Sequence, residues 1–429
     1  MPDSIEIHPV WQPVRASIRP PGSKSITNRA LVCAALADGK STLSGALDSQ
    51  DTRVMIAGLR SLGIEIDIRD EGKTLLVDGC HGQPAAKSAN IFVENSGTTI
   101  RFLTALVTLG QGEFTLDGIA RMRERPIGDL VDALRQLGVD ISCEGENQCP
   151  PVRVKTGGLD GGTAEIQGDI SSQYLSGLMM AAPCAKEDVT VEVQGTLVSV
   201  PYVAMTAAVM NSFGVDLQAA DNYSQLHLPC KQYQATSYDI EPDASAASYF
   251  WAAAAVTGGE VTVEGLSKHS LQGDVAFVEC LHQMGCEVRY NQNSVTLVGK
   301  PLQAIDVDMN AISDTVQTLG PVALFAEGTT KIRNVGHIRH KETDRIAAVA
   351  AELRKLGATV IEHEEGLEIT PGVWPTEPVA IDTYNDHRMA MSFAIAGLAK
   401  PGVVINDPGC TEKTYPHFFT DLKQLVSSN

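Results

Sequence analysis

The sequence predicts an α/β protein of two domains, each built from three copies of one β-α-β-α-β-β unit. Two sets of repeated segments, interleaved along the 429 residues, carry this prediction. The first set consists of β-like runs that mostly follow a glycine. Successive copies lie about 70 residues apart, which is longer than the usual period of a solenoid and suits a compact repeated unit. The runs begin at Gly39, Gly112, Val189, Gly259, Gly328 and Gly402.

The second set consists of apolar, alanine-rich stretches that begin with small polar residues. Ser, Thr, Asp and Asn at such positions cap helices, because their oxygens accept hydrogen bonds from backbone N–H groups that lack a partner in the first turn. Because the stretches are apolar on nearly all sides, we expect the helices to be buried. They begin at Gly22, Asn95, Ile170, Asp243, Ser313 and Asn385.

Each unit also contains an amphipathic segment, such as DALRQLG or AELRKLG, in which charges and leucines share the helix. One face of such a helix meets water. We place one domain at residues 1–20 plus 241–429 and the other at residues 21–240. The acidic, proline-containing stretch Tyr238–Pro242 is the predicted crossover. A first strand, Ile5–Ile18, is predicted to complete the discontinuous domain.

The composition argues against several classes of protein. A net charge of −19 is unfavourable for binding nucleic acid or an anionic membrane, since both need a basic surface. The nine cysteines form no CxxC pair, which indicates reduced thiols and a cytoplasmic location. The first residues lack the features of a signal peptide. The longest uninterrupted apolar run, Tyr249–Val256, is too short to span a bilayer.

The starts of the buried helices are candidate anion sites. Each helix N-terminus offers free N–H donors and a positive dipole end of roughly half a charge. We expect the units to turn these ends toward a common interdomain cleft, which then attracts anions although the chain is acidic. Arginine suits such a site because its planar guanidinium binds phosphate and carboxylate oxygens in pairs. The polar and cationic residues at the helix starts and in the loops are Ser23, Lys24, Ser25, Arg29, Arg101, Arg121, Arg123, Arg125, Ser171, Ser172, Gln173, Lys341, Arg345, His387, Arg388 and Lys413.

Simpler interpretations exist for each of these residues. A serine at a helix start is more often only a cap, and a lone Lys or Arg in a loop is more often only solvated. Recurrence at equivalent places of a repeat in an acidic chain favours anion binding. The segment PGSKSITNRA lacks the G-x-x-x-x-G-K-[ST] pattern, so ATP chemistry is not indicated. His337 and His340 with Glu342 are weak evidence for a metal site, and the cations around them oppose one.

Seven motifs, in order along almost the whole chain, give it a resemblance to the 5-enolpyruvylshikimate-3-phosphate synthase family. The resemblance implies the two-domain enolpyruvyl transferase fold, with three units per domain. It also implies a cytoplasmic, monomeric enzyme that uses no cofactor and no metal. The motifs are PGSKSITNRAL at Pro21–Leu31, NSGTT at Asn95–Thr99, RMRERPIG at Arg121–Gly128, SSQ at Ser171–Gln173, KETDR at Lys341–Arg345, YNDHRMAM at Tyr384–Met391 and CTEKTYP at Cys410–Pro416.

The implied reaction belongs to the shikimate pathway of aromatic amino acid biosynthesis. It transfers the enolpyruvyl group of phosphoenolpyruvate to the 5-hydroxyl of shikimate 3-phosphate and releases phosphate. Addition followed by elimination passes through a tetrahedral intermediate. Both substrates are multiply charged anions, which is what a cation-lined cleft would bind.

The resemblance assigns binding residues to each substrate. The residues implied for phosphoenolpyruvate are Lys24, Asn95, Gly97, Arg125, Gln173, Arg345, Arg388 and Lys413. The residues implied for shikimate 3-phosphate are Lys24, Ser25, Arg29, Ser171, Ser172, Gln173, Ser199, Tyr202, Asp314, His337 and Lys341.

The resemblance implies three catalytic residues. The reaction needs them because the attacking hydroxyl loses a proton while the methylene carbon of phosphoenolpyruvate first gains one and later gives it back. Asp314 is expected near the 5-hydroxyl as base, although it is also a candidate helix cap. Glu342 is expected to exchange a proton with the methylene carbon of phosphoenolpyruvate. Lys24 is expected to protonate the departing phosphate.

The chain departs from the enterobacterial and plant pattern of the family at three places. His337 stands where Asn or Ser is usual and is followed by Ile338 instead of Trp, which affects a contact to shikimate 3-phosphate. Phe102 stands where Pro is usual, behind Gly97, which affects the response to glyphosate, a mimic of phosphoenolpyruvate. The segment DTVQTLGP replaces a DxAMTLA-like run.

Two alternatives stay open at the level of sequence. UDP-N-acetylglucosamine enolpyruvyl transferases share the fold and the donor, but usually carry a reactive cysteine in the loop that corresponds to Ile119–Gly128, where this chain has none. They also usually carry an S-G-A-K-N-A motif near the start, where this chain reads GSKSIT. A non-catalytic anion-binding repeat protein would not need both Asp314 and Glu342.

Overall fold

A computed structural model describes residues 2–427 of the chain. The described residues form two compact units. Unit 1 comprises the residues up to Pro21 together with those from Glu241 onward, and unit 2 comprises Gly22–Ile240. The predicted mixed α/β architecture of two domains is confirmed.

Strands and helices alternate along both units. The strands are β1 Ser4–Ile7, β2 Arg15–Ile18, β3 Lys40–Ser44, β4 Glu65–Arg69, β5 Thr74–Asp78, β6 Ser88–Phe92, β7 Gln111–Asp117, β8 Asp140–Cys143, β9 Val152–Gly157, β10 Gly162–Gln167, β11 Val189–Gln194, β12 Gln218–Ala219, β13 Gln225–Leu228, β14 Ser237–Asp239, β15 Glu260–Glu264, β16 Glu287–Asn291, β17 Ser294–Val298, β18 Leu302–Gln303, β19 Asp306–Asp308, β20 Ala326–Glu327, β21 Thr330–Arg333, β22 Thr359–His363, β23 Gly366–Thr370, β24 Val379–Ile381 and β25 Val403–Asn406.

The α-helices are α1 Lys24–Leu36, α2 Gln50–Ser61, α3 Gly97–Val107, α4 Gly128–Gln136, α5 Ser172–Ala181, α6 Val200–Ser212, α7 Ala244–Thr257, α8 Phe277–Gln283, α9 Val316–Ala323, α10 Arg345–Lys355, α11 His387–Ala399 and α12 Phe418–Ser427. Short 3-10 helices span Asp70–Gly72, Met122–Glu124, Glu146–Gln148, Ala182–Cys184, Gly273–Ala276, Asn310–Thr315, Gly336–His340 and Pro408–Lys413.

Unit 2 contains three four-stranded sheets of one topology, with the orders β14-β3-β5-β4, β6-β7-β9-β8 and β10-β11-β13-β12. In each sheet the first two strands pair in parallel and the remaining strands pair antiparallel. A buried helix connects the parallel pair in the second and third sheets, as parallel strands require a crossover. The helices α1, α3 and α5 pack against one another.

Unit 1 contains two sheets of the same topology, β16-β17-β15-β2 and β19-β21-β23-β22, and a three-stranded sheet, β1-β25-β24. A two-stranded pair, β18-β20, is added. The predicted strand Ile5–Ile18 is instead two strands, which join different sheets of this unit. Pro9 and Pro13 lie between them, and proline cannot donate to a strand ladder.

The predicted buried helices begin at capped N-termini, with one exception. The cap residues accept a backbone N–H from the first turn, and they are Ser23, Ser96, Ser171, Asp243 and Asp386. The exception is α9, where the chain enters through the 3-10 helix Asn310–Thr315 and the cap residue Thr315 makes no such bond. Pro321 lies inside this short helix, and a proline there removes one backbone hydrogen bond.

Among residues 2–427, no helix combines the length and the apolar character that crossing a membrane requires.

Candidate active site

Arg345 lies at the centre of a buried ionic network in unit 1. Its Nε donates to Asp386 Oδ2 at 2.8 Å, and its two terminal nitrogens donate to Asp314 Oδ1 at 3.1 Å and Glu342 Oε2 at 2.8 Å. Burial alone would lower the pKa of Arg345, but the charges of Asp386, Glu342 and Asp314 raise it above its ordinary value. The guanidinium is therefore a permanent cation that holds three carboxylates in place.

Three further cations surround the same carboxylates. Arg388 Nη2 donates to Asp314 Oδ2 at 2.8 Å. Lys341 Nζ lies 3.8 Å from Asp314 Oδ1, and Lys413 Nζ lies 3.8 Å from Glu342 Oε1. We call these residues the unit 1 cluster: Asp314, Lys341, Glu342, Arg345, Asp386, Arg388 and Lys413.

Helix starts bring the cluster together. Asp386 is the cap of α11 and accepts from the backbone N–H of Arg388 at 2.9 Å, which fixes Arg388 near the helix N-terminus. Arg345 is the first residue of α10, whose cap Asp344 accepts from Ala347 N at 3.0 Å. Asp314 lies in the 3-10 helix Asn310–Thr315, which leads directly into α9. Helix dipoles add positive potential at such ends.

His337 is buried beside the cluster, in the 3-10 helix Gly336–His340. The pKa of its imidazole is lowered to about 3, chiefly by burial and next by the positive charge of Lys341, while Asp314 opposes the shift. The ring is therefore neutral at physiological pH. A neutral imidazole has one N–H donor, so it can still donate to an anion.

In unit 2, Lys24 begins α1 and contacts a second helix. Its Nζ lies 3.5 Å from Asp51 Oδ2, and both side chains are nearly buried. Asp51 follows the cap residue Ser49 in the first turn of α2, where a carboxylate is favoured by the helix dipole. The pair fixes the ammonium group at the junction of the two helix starts.

Arg125 packs against the backbone at the start of α3. Its Nη1 donates to the carbonyl oxygen of Asn95 at 3.0 Å and to Asn95 Oδ1 at 3.1 Å. A Cβ on Gly97 would lie 2.4 Å from Arg125 Nη2 and 2.8 Å from Arg101 Nη1. A side chain at position 97 would therefore displace the ends of two buried arginines, and the structure brings Asn95, Gly97 and Arg125 together in one group.

Arg29 is anchored among three helices of unit 2. It donates to Thr206 Oγ1 at 2.7 Å, to the carbonyl oxygen of Ser25 at 2.9 Å, and to Ser176 Oγ and the carbonyl oxygen of Tyr202, both at 3.3 Å. Burial lowers its pKa to about 10, so it stays charged at neutral pH.

The predicted serines also lie at helix starts. Ser171 caps α5 and accepts from the backbone N–H of Gln173 at 3.3 Å, and Ser172 is the first residue of that helix. Ser199 precedes α6 in a left-handed conformation, with φ of 53°. A non-glycine residue in this region of backbone space is uncommon.

These arrangements suit the binding of anions and the transfer of protons. In the unit 1 cluster four cations face three carboxylates, and the buried carboxyl group of Asp274 interacts electrostatically with Asp314 and Arg388 of the same cluster. An anionic ligand can take over contacts that Asp314 and Glu342 now make. Among residues 2–427, no group of three or more His, Cys, Asp and Glu side chains is arranged to hold a metal ion.

The structure adds residues that the sequence analysis did not name as site residues. Asp386 holds Arg345, Asp51 holds Lys24, and Thr206 holds Arg29. Asp386 lies inside the motif YNDHRMAM, so that motif was the one feature of the sequence from which its role at the site could have been predicted. The structure also adds one detail and corrects another. Lys413 lies 3.8 Å from Glu342, and the cap of α9 is Thr315, whereas the sequence offered Asp314 as a candidate cap.

Comparisons with known proteins cover nearly the whole chain. The family model of EPSP synthase (3-phosphoshikimate 1-carboxyvinyltransferase) matches residues 10–422. Two bacterial proteins named 3-phosphoshikimate 1-carboxyvinyltransferase are similar. That of Trichormus variabilis is 50% identical over 426 residues, with 99% of each chain covered. That of Shewanella piezotolerans is 47% identical over 428 residues, with 99% of this chain and 100% of the relative covered.

Similarity extends to a plant protein and to solved structures. The chloroplastic 3-phosphoshikimate 1-carboxyvinyltransferase 1 of Nicotiana tabacum is 46% identical, with 99% of this chain and 85% of the relative covered. A solved EPSP synthase of Acinetobacter baumannii matches with a TM-score of 0.79 and 25% identity, over 99% of this chain and 97% of that one.

Proposed function

The chain belongs to the EPSP synthase family, and from that membership we propose how its residues bind the substrates and move protons. The chain is a 3-phosphoshikimate 1-carboxyvinyltransferase, an enzyme of aromatic amino acid biosynthesis. It transfers the enolpyruvyl group of phosphoenolpyruvate to shikimate 3-phosphate in the shikimate pathway. The single observation that best supports the roles below is the unit 1 cluster, in which two candidate catalytic carboxylates lie among four cations.

Phosphoenolpyruvate is the proposed ligand of the arginines and lysines that now pair with carboxylates. Arg345 and Arg388 present planar guanidinium groups, which suit the paired oxygens of a carboxylate or a phosphate. For Arg345, Arg388 and Lys413, binding exchanges internal ion pairs for contacts to the ligand, so these three cations keep a counter-ion. The proposed set is Lys24, Asn95, Gly97, Arg125, Gln173, Arg345, Arg388 and Lys413.

Shikimate 3-phosphate is the proposed ligand of the hydroxyl-rich helix starts of unit 2 and of Lys341. Serine hydroxyls and backbone N–H groups at helix N-termini donate readily to anionic oxygens. Neutral His337 supplies a donor where Asn or Ser is usual in the family. The proposed set is Lys24, Ser25, Arg29, Ser171, Ser172, Gln173, Ser199, Tyr202, Asp314, His337 and Lys341.

A cytoplasmic location and a monomeric state also remain predictions.

Asp314 and Glu342 divide the proton transfers in the proposed mechanism. In the addition step the 5-hydroxyl oxygen bonds to C2 of phosphoenolpyruvate, Asp314 accepts the hydroxyl proton, and Glu342, in its protonated form, donates a proton to C3. In the elimination step C3 returns its proton to Glu342, the bond from C2 to the phosphate oxygen breaks, and Lys24 protonates the departing phosphate. Asp314 then loses its proton to solvent and Lys24 regains one from solvent, so that the hydroxyl proton is balanced by the proton that leaves with the phosphate. General acid–base groups of this kind typically contribute about 10²–10⁴-fold to the rate.

Phosphate release from phosphoenolpyruvate tests the function directly. The purified chain is supplied with phosphoenolpyruvate and either shikimate 3-phosphate or UDP-N-acetylglucosamine, with EDTA present to chelate metal ions. We expect release with the first acceptor only. Release only with the second would identify the related transferase, and no release with either would indicate a protein that binds anions without catalysis.

A further inference from the structure

Arg29 is a buried cation without a carboxylate partner. Its side chain is 2% exposed, and no Asp or Glu within salt-bridge distance of it occurs among residues 2–427. All of its hydrogen-bond acceptors are neutral: two hydroxyls and two backbone carbonyls. Burying a charge without a counter-ion is costly, so another source of stabilisation is required.

Two aromatic rings supply that stabilisation. The guanidinium carbon of Arg29 lies 5.2 Å from the ring centroid of Phe102 and 5.8 Å from that of Tyr202. Both distances fall within the range of a cation–π interaction, in which the negative face of the ring attracts the cation. The three side chains come from α1, α3 and α6, so the contact also joins three helices.

The hydrogen bonds of Arg29 leave one N–H group of its guanidinium available to a ligand. A guanidinium carries five N–H groups, and four of them are used by the acceptors within residues 2–427. The fifth lies on Nη1, the nitrogen that also donates to the carbonyl of Ser25. With four donors bonded and two rings in contact, the direction of this last donor is set by the protein before a ligand binds.

We propose that Phe102 is a positioning residue that holds Arg29 in the orientation that binds an anionic group of shikimate 3-phosphate. The proposal rests on the role of Arg29 in the proposed function. The family pattern usually has proline at this position, and proline has no aromatic face. The chain therefore replaces a usual proline by a ring that contacts a proposed substrate-binding arginine. Preorganised binding groups improve affinity because less ordering is needed when the ligand arrives.

Graded fluorination of Phe102 is the sharpest test. Each added fluorine weakens the negative face of the ring while the side chain keeps nearly the same shape. The dissociation constant of shikimate 3-phosphate is measured by calorimetry in the absence of phosphoenolpyruvate, for variants that carry one, two or three fluorines. We expect affinity to fall with each fluorine, and an affinity that does not change along the series would overturn the proposal.

Phe102→Leu extends the test to natural residues, with Phe114→Leu as the matched control. Both phenylalanines are 1% exposed and lie in unit 2, but only Phe102 faces a guanidinium. For Phe102→Leu we expect affinity for shikimate 3-phosphate to fall about 2- to 30-fold, the range that a cation–π contact of about 0.5–2 kcal/mol implies. The KM for phosphoenolpyruvate and kcat should change little in either variant.

Other outcomes have definite meanings. If Phe102→Leu raises the KM for both substrates equally, or if Phe114→Leu weakens shikimate 3-phosphate binding to the same extent, Phe102 is only a packing residue and the proposal is wrong. If the wild-type chain binds shikimate 3-phosphate but releases no phosphate, the proposed function fails, while the binding series still decides the role of Phe102. If the wild-type chain does not bind shikimate 3-phosphate, both fail.

Discussion

Asp386 determines where two cations of the unit 1 cluster point. Its carboxylate is fully buried, accepts from Arg345 Nε at 2.8 Å and caps the helix that carries Arg388. An aspartate just before a helix is typically a cap, so the sequence suggests only that role for Asp386. Its second contact, with Arg345, joins residues 41 positions apart and was not evident from the sequence. At the scale of single residues, the motifs identify the candidate binding cations better than the groups that hold them.

We expect Asp386→Asn to weaken both stability and donor binding. Breaking a buried ion pair typically costs up to about 3–5 kcal/mol of unfolding free energy. Because Arg345 keeps its bonds to Asp314 and Glu342, we expect the loss to lie below that range. The KM for phosphoenolpyruvate should rise, since Arg345 and Arg388 lose a common anchor. Urea unfolding and steady-state kinetics measure both effects.

Asp382→Asn is the control for this prediction. Asp382 pairs with Lys355 at 2.7 Å, but its side chain is exposed, and exposed pairs typically contribute about 0–1 kcal/mol. Equal losses of stability in the two variants would show that the buried network has no special importance.

His337 should make the protein sensitive to acid. Its folded-state pKa of about 3 lies below its ordinary value of 6.5, so the unfolded state takes up a proton first as the pH falls. The stabilisation that neutral His337 contributes is fully present when the pH is above its ordinary pKa of 6.5. It is lost as the pH falls toward its folded-state pKa of about 3. In that window the wild type should lose about 1.4 kcal/mol more per pH unit than His337→Asn. Urea unfolding at several pH values checks this, and parallel curves for the two proteins would contradict it.

The start of α3 shows how one element shapes the candidate site. The helix begins at Gly97, which has no side chain, and two arginines pack against this bare turn. Farther along, a Cβ on Gly177 of α5 would lie 2.9 Å from the carbonyl oxygen of Arg101, so α3 and α5 are also in close contact. The resemblance implies that Gly97 lies beside phosphoenolpyruvate, and that stays a prediction; the structure adds that two guanidinium groups pack against the same glycine.

Gly97→Ala should displace Arg125 and weaken phosphoenolpyruvate binding. Overpacking of this kind typically costs about 1–3 kcal/mol of unfolding free energy, and a displaced Arg125 guanidinium should raise the KM for phosphoenolpyruvate. Gly157→Ala is the matched control, because a Cβ there has no atom within 4 Å. Unchanged donor kinetics in Gly97→Ala would show that Arg125 is not needed where the structure has it.

Across the whole molecule, the periodicity of the sequence was sufficient to predict the fold class, and the motifs were sufficient to predict the family. The alternating segments predicted mixed α/β units because strand and helix periods leave clear patterns. The strand at Ile5–Ile18 was predicted incorrectly, because two prolines divide it, and the start of α9 differs because the chain forms a 3-10 helix first. Contacts such as that of Lys24 with Asp51 depend on packing between helices, which no local pattern reports.

The charge distribution of the whole chain explains how an acidic protein can bind anions. The net charge is −19, yet the cations of the unit 1 cluster outnumber its carboxylates. Buried charges interact strongly over short distances, whereas exposed carboxylates elsewhere are screened by salt. The net charge of the whole chain is therefore no measure of the electrostatic potential within the unit 1 cluster.

The turnover number of Glu342→Gln tests the central claim, that a carboxylate within this cation cluster transfers protons in the reaction. Glutamine keeps the shape and a hydrogen-bond acceptor for Arg345, but it cannot exchange a proton with carbon. We predict that kcat for phosphate release with shikimate 3-phosphate falls by about 10²–10⁴-fold. A kcat close to that of the wild type would contradict the account.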